Sequence, residues 1–254
     1  MAKFDSGKIL YNKNDHKVIW LGWDESEGSE AVQTNQYLII HKGKGILLDP
    51  GGVHLFSRVV AVISNYINID NIETIFFSHQ DPDVSSGIAL WLGVTRAQIY
   101  ISKLWIRFIP HFGIIDQRRL KPVEDKGGEI PISGDKTIKL IPAHFLHSPG
   151  NFAVWDEESG ILFSGDVGAA VFSKGDEYLY VEDFQLHLKI MEGFHQRYMV
   201  SNAACRNFVK QLKDKDIKII APQHGALFKD DMAREFLKWF GNLECGVDII
   251  ETFS

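Results

Sequence analysis

The chain contains very little cysteine. Cys205 and Cys245 are its only two cysteines, and they lie far apart without a Cys-x-x-Cys pattern. This argues against a disulfide scaffold and against a thiolate zinc site. Reduced cysteines are typical of cytoplasmic proteins, and residues 1–5 lack the pattern of a signal peptide. We therefore expect a cytoplasmic location.

Long apolar runs and basic clusters are also missing. No apolar stretch approaches the length that a membrane-spanning helix needs, so we expect no membrane association. The formal net charge is −6 without a long basic run, which argues against nucleic acid as a partner. The composition is that of a globular protein without a Pro/Gly/Ser-rich linker. We predict a single domain over residues 1–254.

Hydrophobic periodicity predicts strands and helices in alternation. Short apolar runs predict strands at 17–21, 37–41, 46–48, 74–77, 98–101, 136–141, 152–155, 161–163 and 217–220. Helical spacing predicts helices at 55–67, from about 85, over 183–213 with a break, and at 230–240. Residues 104–112 fit either a helix or a covering loop. Strands followed by helices in each half predict a mixed sheet in each half and a layered α/β sandwich.

Side chains that can bind metals follow four of these strands. The run 74–77 leads into His79, Asp81 and Asp83, and three later strands lead into single ligands. Because ligands in α/β proteins gather where strands end, we expect the side chains to converge. The converging set is His79, Asp81, Asp83, His147, Asp166 and His224. One polar turn alone is usually plain surface, but four of them at strand ends favour a site.

This set contains more candidate ligands than one zinc ion requires. A zinc site needs only three or four protein ligands, whereas three imidazoles and three carboxylates suffice for two ions that share a carboxylate. Mixed nitrogen and oxygen ligands suit iron or manganese as well as zinc. The residue types alone therefore predict a metal site without deciding the metal.

The same residues resemble the metal motifs of the metallo-β-lactamase superfamily in order and spacing. The segments that carry the resemblance are 79–83, 147–151, 163–166 and 221–225, and the match spans residues 37–228. Asp49 stands where that superfamily has a structural aspartate near the site. The resemblance implies a four-layer αββα sandwich of metallo-β-lactamase type.

Within the superfamily, the first motif is similar to that of the flavodiiron proteins. Hydrolases usually have His-x-His-x-Asp-His there, whereas Asp81 places a carboxylate at the second histidine, as flavodiiron proteins do with glutamate. A harder oxygen ligand favours iron over zinc. The resemblance implies a non-haem di-iron centre, with one iron held by His79, Asp81 and His147. The second iron takes Asp83 and His224, and Asp166 bridges the two.

The motif departs from the flavodiiron pattern at Val84. The family has a last histidine at this position, so the second iron loses a protein ligand and gains an open or water-filled position. Asp81 is also one methylene shorter than the usual glutamate. Flavodiiron reductases carry a flavodoxin domain after this one, and we expect no FMN in this chain, which ends at Ser254.

The chain most resembles the short oxygen-binding di-iron proteins linked to oxygen sensing in bacterial chemotaxis. This implies a protein that binds dioxygen as a sensor, with a chemoreceptor as partner, and the family further implies a homodimer. Two enzymatic alternatives stay open. One is an oxygen or nitric oxide reductase, an oxidoreductase fed by a separate redox partner. The other is a zinc-dependent hydrolase, against which Asp81 argues.

Four further residues are candidates for supporting the site. Asp49 could accept a hydrogen bond from a ligating imidazole, as such groups commonly do. His144 precedes His147 by three residues, so we predict a structural or supporting role. His195 and Tyr198 could each donate a hydrogen bond to bound oxygen, or lie on the surface. Aromatic residues within 104–112 could cover a gas-accessible pocket, although such stripes are more often core.

Overall fold

A computed structural model describes residues 7–24, 32–114, 117–133 and 136–253. The chain divides into two compact units, Met1–Ile138 and Lys139–Ser254. The architecture is mixed α/β, with two sheets flanked by helices, which confirms the predicted class. That residues 1–254 form one domain stays a prediction.

The first unit is organised on a seven-stranded sheet whose strands follow in sequence order. They are β1 (Lys8–Lys13), β2 (His16–Trp20), β3 (Tyr37–His41), β4 (Lys44–Leu48), β5 (Ile72–Phe76), β6 (Gln98–Ser102) and β7 (Leu120–Val123). β1 to β4 pair antiparallel, and β4 to β7 pair parallel. The tight turn between β3 and β4 uses Lys42 and Gly43, both with positive φ, as two-residue hairpin loops require.

Helices in the first unit bury one apolar face each. They are α1 (Phe56–Ile63), α2 (Pro82–Ser85) and α3 (Ile88–Val94), with 3₁₀ segments at Val53–Leu55, Ile69–Asn71 and Lys103–Phe112. Val59, Ile63, Ile88 and Trp91 join the strands in one apolar core. The predicted helix over 55–67 ends at Ile63. Beyond it the chain turns, and Ser64 donates its hydroxyl hydrogen bond back to the Val60 carbonyl.

The second unit contains most of a six-stranded sheet in the order β13-β12-β11-β10-β9-β8. The strands are β8 (Gly128–Ile132), β9 (Lys136–Pro142), β10 (Phe152–Asp156), β11 (Ile161–Gly165), β12 (Ile219–Pro222) and β13 (Phe228–Lys229), with the unit boundary inside β9. β10 pairs antiparallel with β9 and β11, and β11 pairs parallel with β12. The carboxyl ends of β9, β11 and β12 therefore point to the same edge.

Three long helices complete the second unit. They are α4 (Phe184–Tyr198), α5 (Asn202–Leu212) and α6 (Asp231–Phe240), and a 3₁₀ segment follows at Gly246–Phe253. The predicted break within 183–213 is confirmed at Met199, whose backbone is extended. Met191, Phe208 and Phe236 pack in the apolar core of this unit. Across the part of the chain that the structure describes, no helix is both long and apolar enough to span a bilayer.

Candidate metal centre

The ligand loop of the first unit is anchored by Asp49, which follows β4. Its Oδ1 accepts a 2.7 Å hydrogen bond from the Ser78 N–H, and its own N–H donates to the Phe76 carbonyl. Asp49 adopts a positive φ of 44°, a conformation that non-glycine residues hold only where the surrounding structure enforces it. Asp49 thus ties the end of β4 to the loop after β5. Its predicted bond to a ligating imidazole stays a prediction.

His79 is buried and oriented by its neighbour. Its Nδ1 lies 2.9 Å from the Ser78 hydroxyl, and its Nε2 lies 3.8 Å from Asp81 Oδ2. This spacing is longer than a hydrogen bond. Nitrogen and oxygen atoms that each lie about 2.0–2.2 Å from one ion are separated by roughly 3–3.6 Å, depending on coordination geometry. The observed 3.8 Å is slightly longer than this range, so the two side chains would need a small movement to hold one metal ion together.

The carboxylates of the first motif lie at the start of α2. Asp81 is the N-cap residue, accepts a 2.8 Å hydrogen bond from the Gln80 side chain and keeps a third of its side chain exposed. Asp83 lies in the first helical turn and is half-buried. Val84 is fully buried in the apolar core of this unit. The position that holds a histidine in the flavodiiron motif is therefore a core position here.

In the second unit, Asp166 lies between two imidazoles. Its Oδ2 is 3.6 Å from His147 Nδ1 and its Oδ1 is 3.7 Å from His224 Nε2. The carboxylate is almost fully buried, with a 3% exposed fraction. Because each oxygen faces a different imidazole at more than hydrogen-bond distance, the arrangement suits a carboxylate that bridges two ions. The predicted convergence at the ends of β9, β11 and β12 is confirmed for these three residues.

The loop that carries His147 follows β9 and is held in a strained conformation. His147 and Phe145 have positive φ values of 73° and 64°. Such strain costs free energy and persists where the surroundings over-determine the backbone, which is common at functional sites. The His147 ring stacks against Phe194 and Tyr198 of α4, at centroid distances of 5.9 and 5.3 Å. The Asn151 amide braces the loop by donating to the Leu146 carbonyl.

His195 supports the loop that follows Asp166. The Gly168 N–H donates a 2.9 Å hydrogen bond to His195 Nε2, so Nδ1 carries the proton and donates to the Met191 carbonyl. Burial lowers the pKa of His195 to about 4, which keeps the ring neutral near pH 7. The predicted donation to bound oxygen is wrong because both ring nitrogens are engaged within the protein. The surface alternative is also wrong, since the side chain is fully buried.

Tyr198 and His144 have different surroundings. Tyr198 is 52% exposed and stacks on both His147 and Phe194. His144 is half-buried and packs its ring edge-to-face on Phe152. A groove of about 460 Å³ lies beside His147 and is lined by Phe145, His147, Pro149, Arg197, Tyr198, Met199, Val200, Gly246, Val247, Ile250 and Phe253. The hydrogen bond that we predicted from Tyr198 to bound oxygen stays a prediction.

Sequence reasoning missed several residues that shape the site. Ser78 contacts both Asp49 and His79, and Phe194 stacks on His147. Gly225 follows His224 with a φ of 82°, and a Cβ atom there would collide with the backbone of Ala170. Two features of the sequence could have indicated these roles: Ser78 directly precedes His79, and Gly225 directly follows His224.

The fold matches the cores of flavodiiron proteins. A flavo di-iron protein variant from Thermotoga maritima superposes with a TM-score of 0.74 at 22% identity, covering 93% of this chain and 61% of that chain. The fold is therefore that of a metallo-β-lactamase-like protein with the architecture of a flavodiiron core. More specifically, the chain belongs to the ODP family of beta lactamases, whose family model matches residues 32–225. The predicted resemblance and the predicted fold class are confirmed.

Two solved structures match nearly the whole chain at higher identity. The first is a structure of the peroxy diiron species of chemotaxis sensor ODP, whose sequence is 54% identical to this chain. It superposes with a TM-score of 0.88, and the match covers 98% of this chain and 100% of that chain. The apo state of chemotaxis sensor ODP from T. denticola is 53% identical, with a TM-score of 0.86, and the match covers 98% and 99%.

Curated relatives are more distant and longer. An uncharacterized protein of Methanocaldococcus jannaschii is 25% identical over 212 residues, which are 82% of this chain and 53% of the relative. This chain thus spans about half the length of that relative.

Proposed function

We propose that this chain is a non-haem di-iron protein that binds dioxygen and serves as an oxygen sensor in bacterial chemotaxis. The observation that carries the proposal is the 54% sequence identity between this chain and the chemotaxis sensor ODP, whose solved structure contains a peroxy diiron species. The match extends over nearly the full length of both chains. The proximity of the candidate side chains supports the proposal, since His79 lies 3.8 Å from Asp81 and the two Asp166 oxygens lie 3.6 and 3.7 Å from the imidazoles of His147 and His224.

The assignment of ligands follows the family resemblance. One iron would take His79, Asp81 and His147, the other would take Asp83 and His224, and Asp166 would be shared between them. Within the first unit, the 3.8 Å spacing of His79 Nε2 and Asp81 Oδ2 supports their pairing on one ion. Imidazole with carboxylate is a ligand set that suits ferrous and ferric iron.

The position of the Asp166 carboxylate supports a site for two ions. Its oxygens face His147 on one side and His224 on the other, so this single buried carboxylate could offer one oxygen to each of two ions. Its negative charge offsets part of the charge of two cations. Ferrous iron, when bound, supplies the electrons that the binding of dioxygen requires.

The chain's own residues favour binding over turnover. With Val84 in place of a histidine, the second iron would have fewer protein ligands and a position free for a small molecule such as dioxygen or nitric oxide. His195 holds the backbone after Asp166 without exchanging a proton near pH 7. FMN plays no part in the proposal. A chemoreceptor as partner, a homodimer and a cytoplasmic location are parts of the same proposal.

Anaerobic metal analysis followed by absorbance titration with dioxygen tests the function. We expect about two irons per chain, as in other two-metal sites, and a coloured adduct that persists after mixing. His147→Ala should lose iron and the adduct, whereas His111→Ala, which changes an exposed histidine, should keep both.

Other outcomes of the same experiment would replace the proposal. Continuous oxygen uptake with an added flavoprotein donor would make the chain an oxygen or nitric oxide reductase fed by a redox partner. Tightly held zinc without response to oxygen, in protein from iron-supplied cells, would contradict both functions and favour a metallo-hydrolase.

A further inference from the structure

The two cysteines, far apart in sequence, meet inside the second unit. Cys205 lies in α5 and Cys245 lies just after α6, and their sulfur atoms are 3.8 Å apart. Both side chains are fully buried and both are free thiols. A disulfide bond needs the sulfurs about 2.05 Å apart, so a small local movement would join them.

The backbone around the thiol pair is held by several hydrogen bonds. The Asn202 side chain donates to the carbonyls of Gly241 and Leu243, at 3.2 and 2.8 Å. The Asp248 carboxylate accepts from the backbone N–H groups of Asn202 and Cys245. These bonds keep the start of α5 beside the segment that carries Cys245, so the sulfurs remain neighbours.

Cys245 directly precedes one wall of the groove beside His147. This wall is the 3₁₀ segment Gly246–Phe253, which contributes Val247, Ile250 and Phe253 to the lining. The Val247 N–H donates a 2.9 Å hydrogen bond to the Val200 carbonyl, and Gly246 leaves no room for a Cβ atom against the backbone at Met199. The position of Cys245 is therefore coupled to the shape of the groove.

The two thiols differ in acidity. The hydrogen bond from Cys205 lowers the pKa of Cys245, whereas the same interaction and burial raise the pKa of Cys205. The thiolate is the nucleophile in cysteine oxidation, and the lowered pKa of Cys245 assigns that role to Cys245 in the pair.

We propose that Cys205 and Cys245 form a redox site that hydrogen peroxide converts to a disulfide, which fixes the Gly246–Phe253 wall of the groove to α5. The site goes beyond oxygen binding and requires no iron. Its effect is a covalent link between two thiols that are 40 positions apart in the chain, next to a groove that includes the proposed ligand His147.

The chemistry balances in two steps. The Cys245 thiolate attacks one peroxide oxygen, the O–O bond breaks, and the products are Cys245 sulfenic acid and hydroxide. The Cys205 sulfur then attacks the Cys245 sulfur, the S–O bond breaks, and the disulfide forms with release of water. Hydroxide takes up the remaining proton, so two thiols and one peroxide yield one disulfide and two waters.

Thiol counting on the full chain tests the proposal. Reduced protein, prepared without oxygen in iron-free and iron-loaded forms, is treated with hydrogen peroxide and then alkylated in denaturant. We expect both thiols to be lost in each form, with one intrachain Cys205–Cys245 peptide that is lighter by two hydrogen atoms. Dithiothreitol should restore both thiols. Hydrogen exchange of Gly246–Phe253 should be slower in the oxidised protein.

Single variants test the order of the two steps. Cys205→Ser should stop at a sulfenic acid on Cys245 that dimedone traps, and Cys245→Ser should leave Cys205 as a thiol. Two intact thiols in peroxide-treated wild-type protein, a link between two chains, or unchanged hydrogen exchange after oxidation would each overturn the proposal. Disulfide formation in iron-free protein separates this result from any failure of the proposed oxygen binding.

Discussion

Asp166 carries the strongest single-residue argument for a two-metal site. Both of its oxygens face imidazoles within the second unit, at 3.6 and 3.7 Å. Asp166→Asn replaces one oxygen by an amide that donates hydrogen bonds and binds cations poorly. We expect iron content to fall from about two per chain toward one or none. Metal analysis after anaerobic loading measures this.

The control for this variant is Asp214→Asn, which removes the same charge from an exposed position in the second unit. It should bind iron like the unchanged protein. Full iron content in Asp166→Asn would contradict the bridging role of Asp166.

Val84 occupies a motif position that lies in the apolar core of this protein. The flavodiiron pattern suggests that Val84→His would restore a ligand, but the side chain is fully buried among apolar residues. We expect the substitution to lower the free energy of unfolding by about 2–4 kcal/mol, from overpacking and an unsatisfied polar group. Iron content should not rise. Urea unfolding and metal analysis measure the two quantities.

Val84→Leu provides the matched comparison, since it adds volume without polarity. It should destabilise the protein less than Val84→His does. A stable Val84→His protein with increased iron would mean that the side chain reaches the metal instead of the core.

At the scale of elements, α4 connects the groove to the ligand loop. Phe194 and Tyr198 stack on His147, while His195, on the same helix, holds Gly168 after Asp166. His195→Phe removes the acceptor for the Gly168 N–H. Because Gly168 lies two residues after Asp166, we expect weaker iron binding, and the about 10–100-fold loss that follows removal of a direct partner of a metal ligand is the upper limit. Competition with a chelator measures the affinity.

His195→Gln separates positioning from packing. Its side-chain oxygen can accept the Gly168 hydrogen bond, so it should recover part of the iron affinity even where its free energy of unfolding is lower. Equal affinity loss in both variants would mean that His195 acts only through packing.

Element boundaries were predicted less well than element types. The strand at 37–41 and the helix at 230–240 agree closely with β3 and α6. β1, β7, β8 and β13 were not predicted, because their short, largely polar or exposed sequences carry little periodic signal. Their strand conformation depends on pairing with a neighbouring strand.

At the scale of the whole molecule, the buried histidines of α4 make stability depend on pH. His187 is fully buried, its Nδ1 lies 2.7 Å from the Tyr178 hydroxyl, and burial with the nearby His195 lowers its pKa to about 4. The unfolded chain has the ordinary value of about 6.5 and binds more protons between these limits. The contribution of His187 to the free energy of unfolding should therefore be complete above about pH 6.5 and decrease as the pH falls toward 4.

Urea unfolding between pH 4.5 and 7.5, chosen to span most of that roughly 4–6.5 window, measures this dependence. His187→Phe should flatten the curve, because it removes one of the two buried histidines of α4 whose lowered pKa makes them take up protons on unfolding. His111→Gln, at an exposed position, should leave the slope as it is. An unchanged slope in His187→Phe would show that other groups cause the acid sensitivity.

The sequence by itself determined the candidate metal-binding residues, the mixed α/β class and the family, because these depend on residue types and short spacings at strand ends. Tertiary structure decided which side chains meet. In the folded chain, His195 accepts a hydrogen bond from the Gly168 N–H and Val84 lies in the apolar core. Cys205 lies beside Cys245, which is 40 positions away in the sequence. Such contacts depend on how helices pack on a sheet, and local patterns carry no information about distant packing partners.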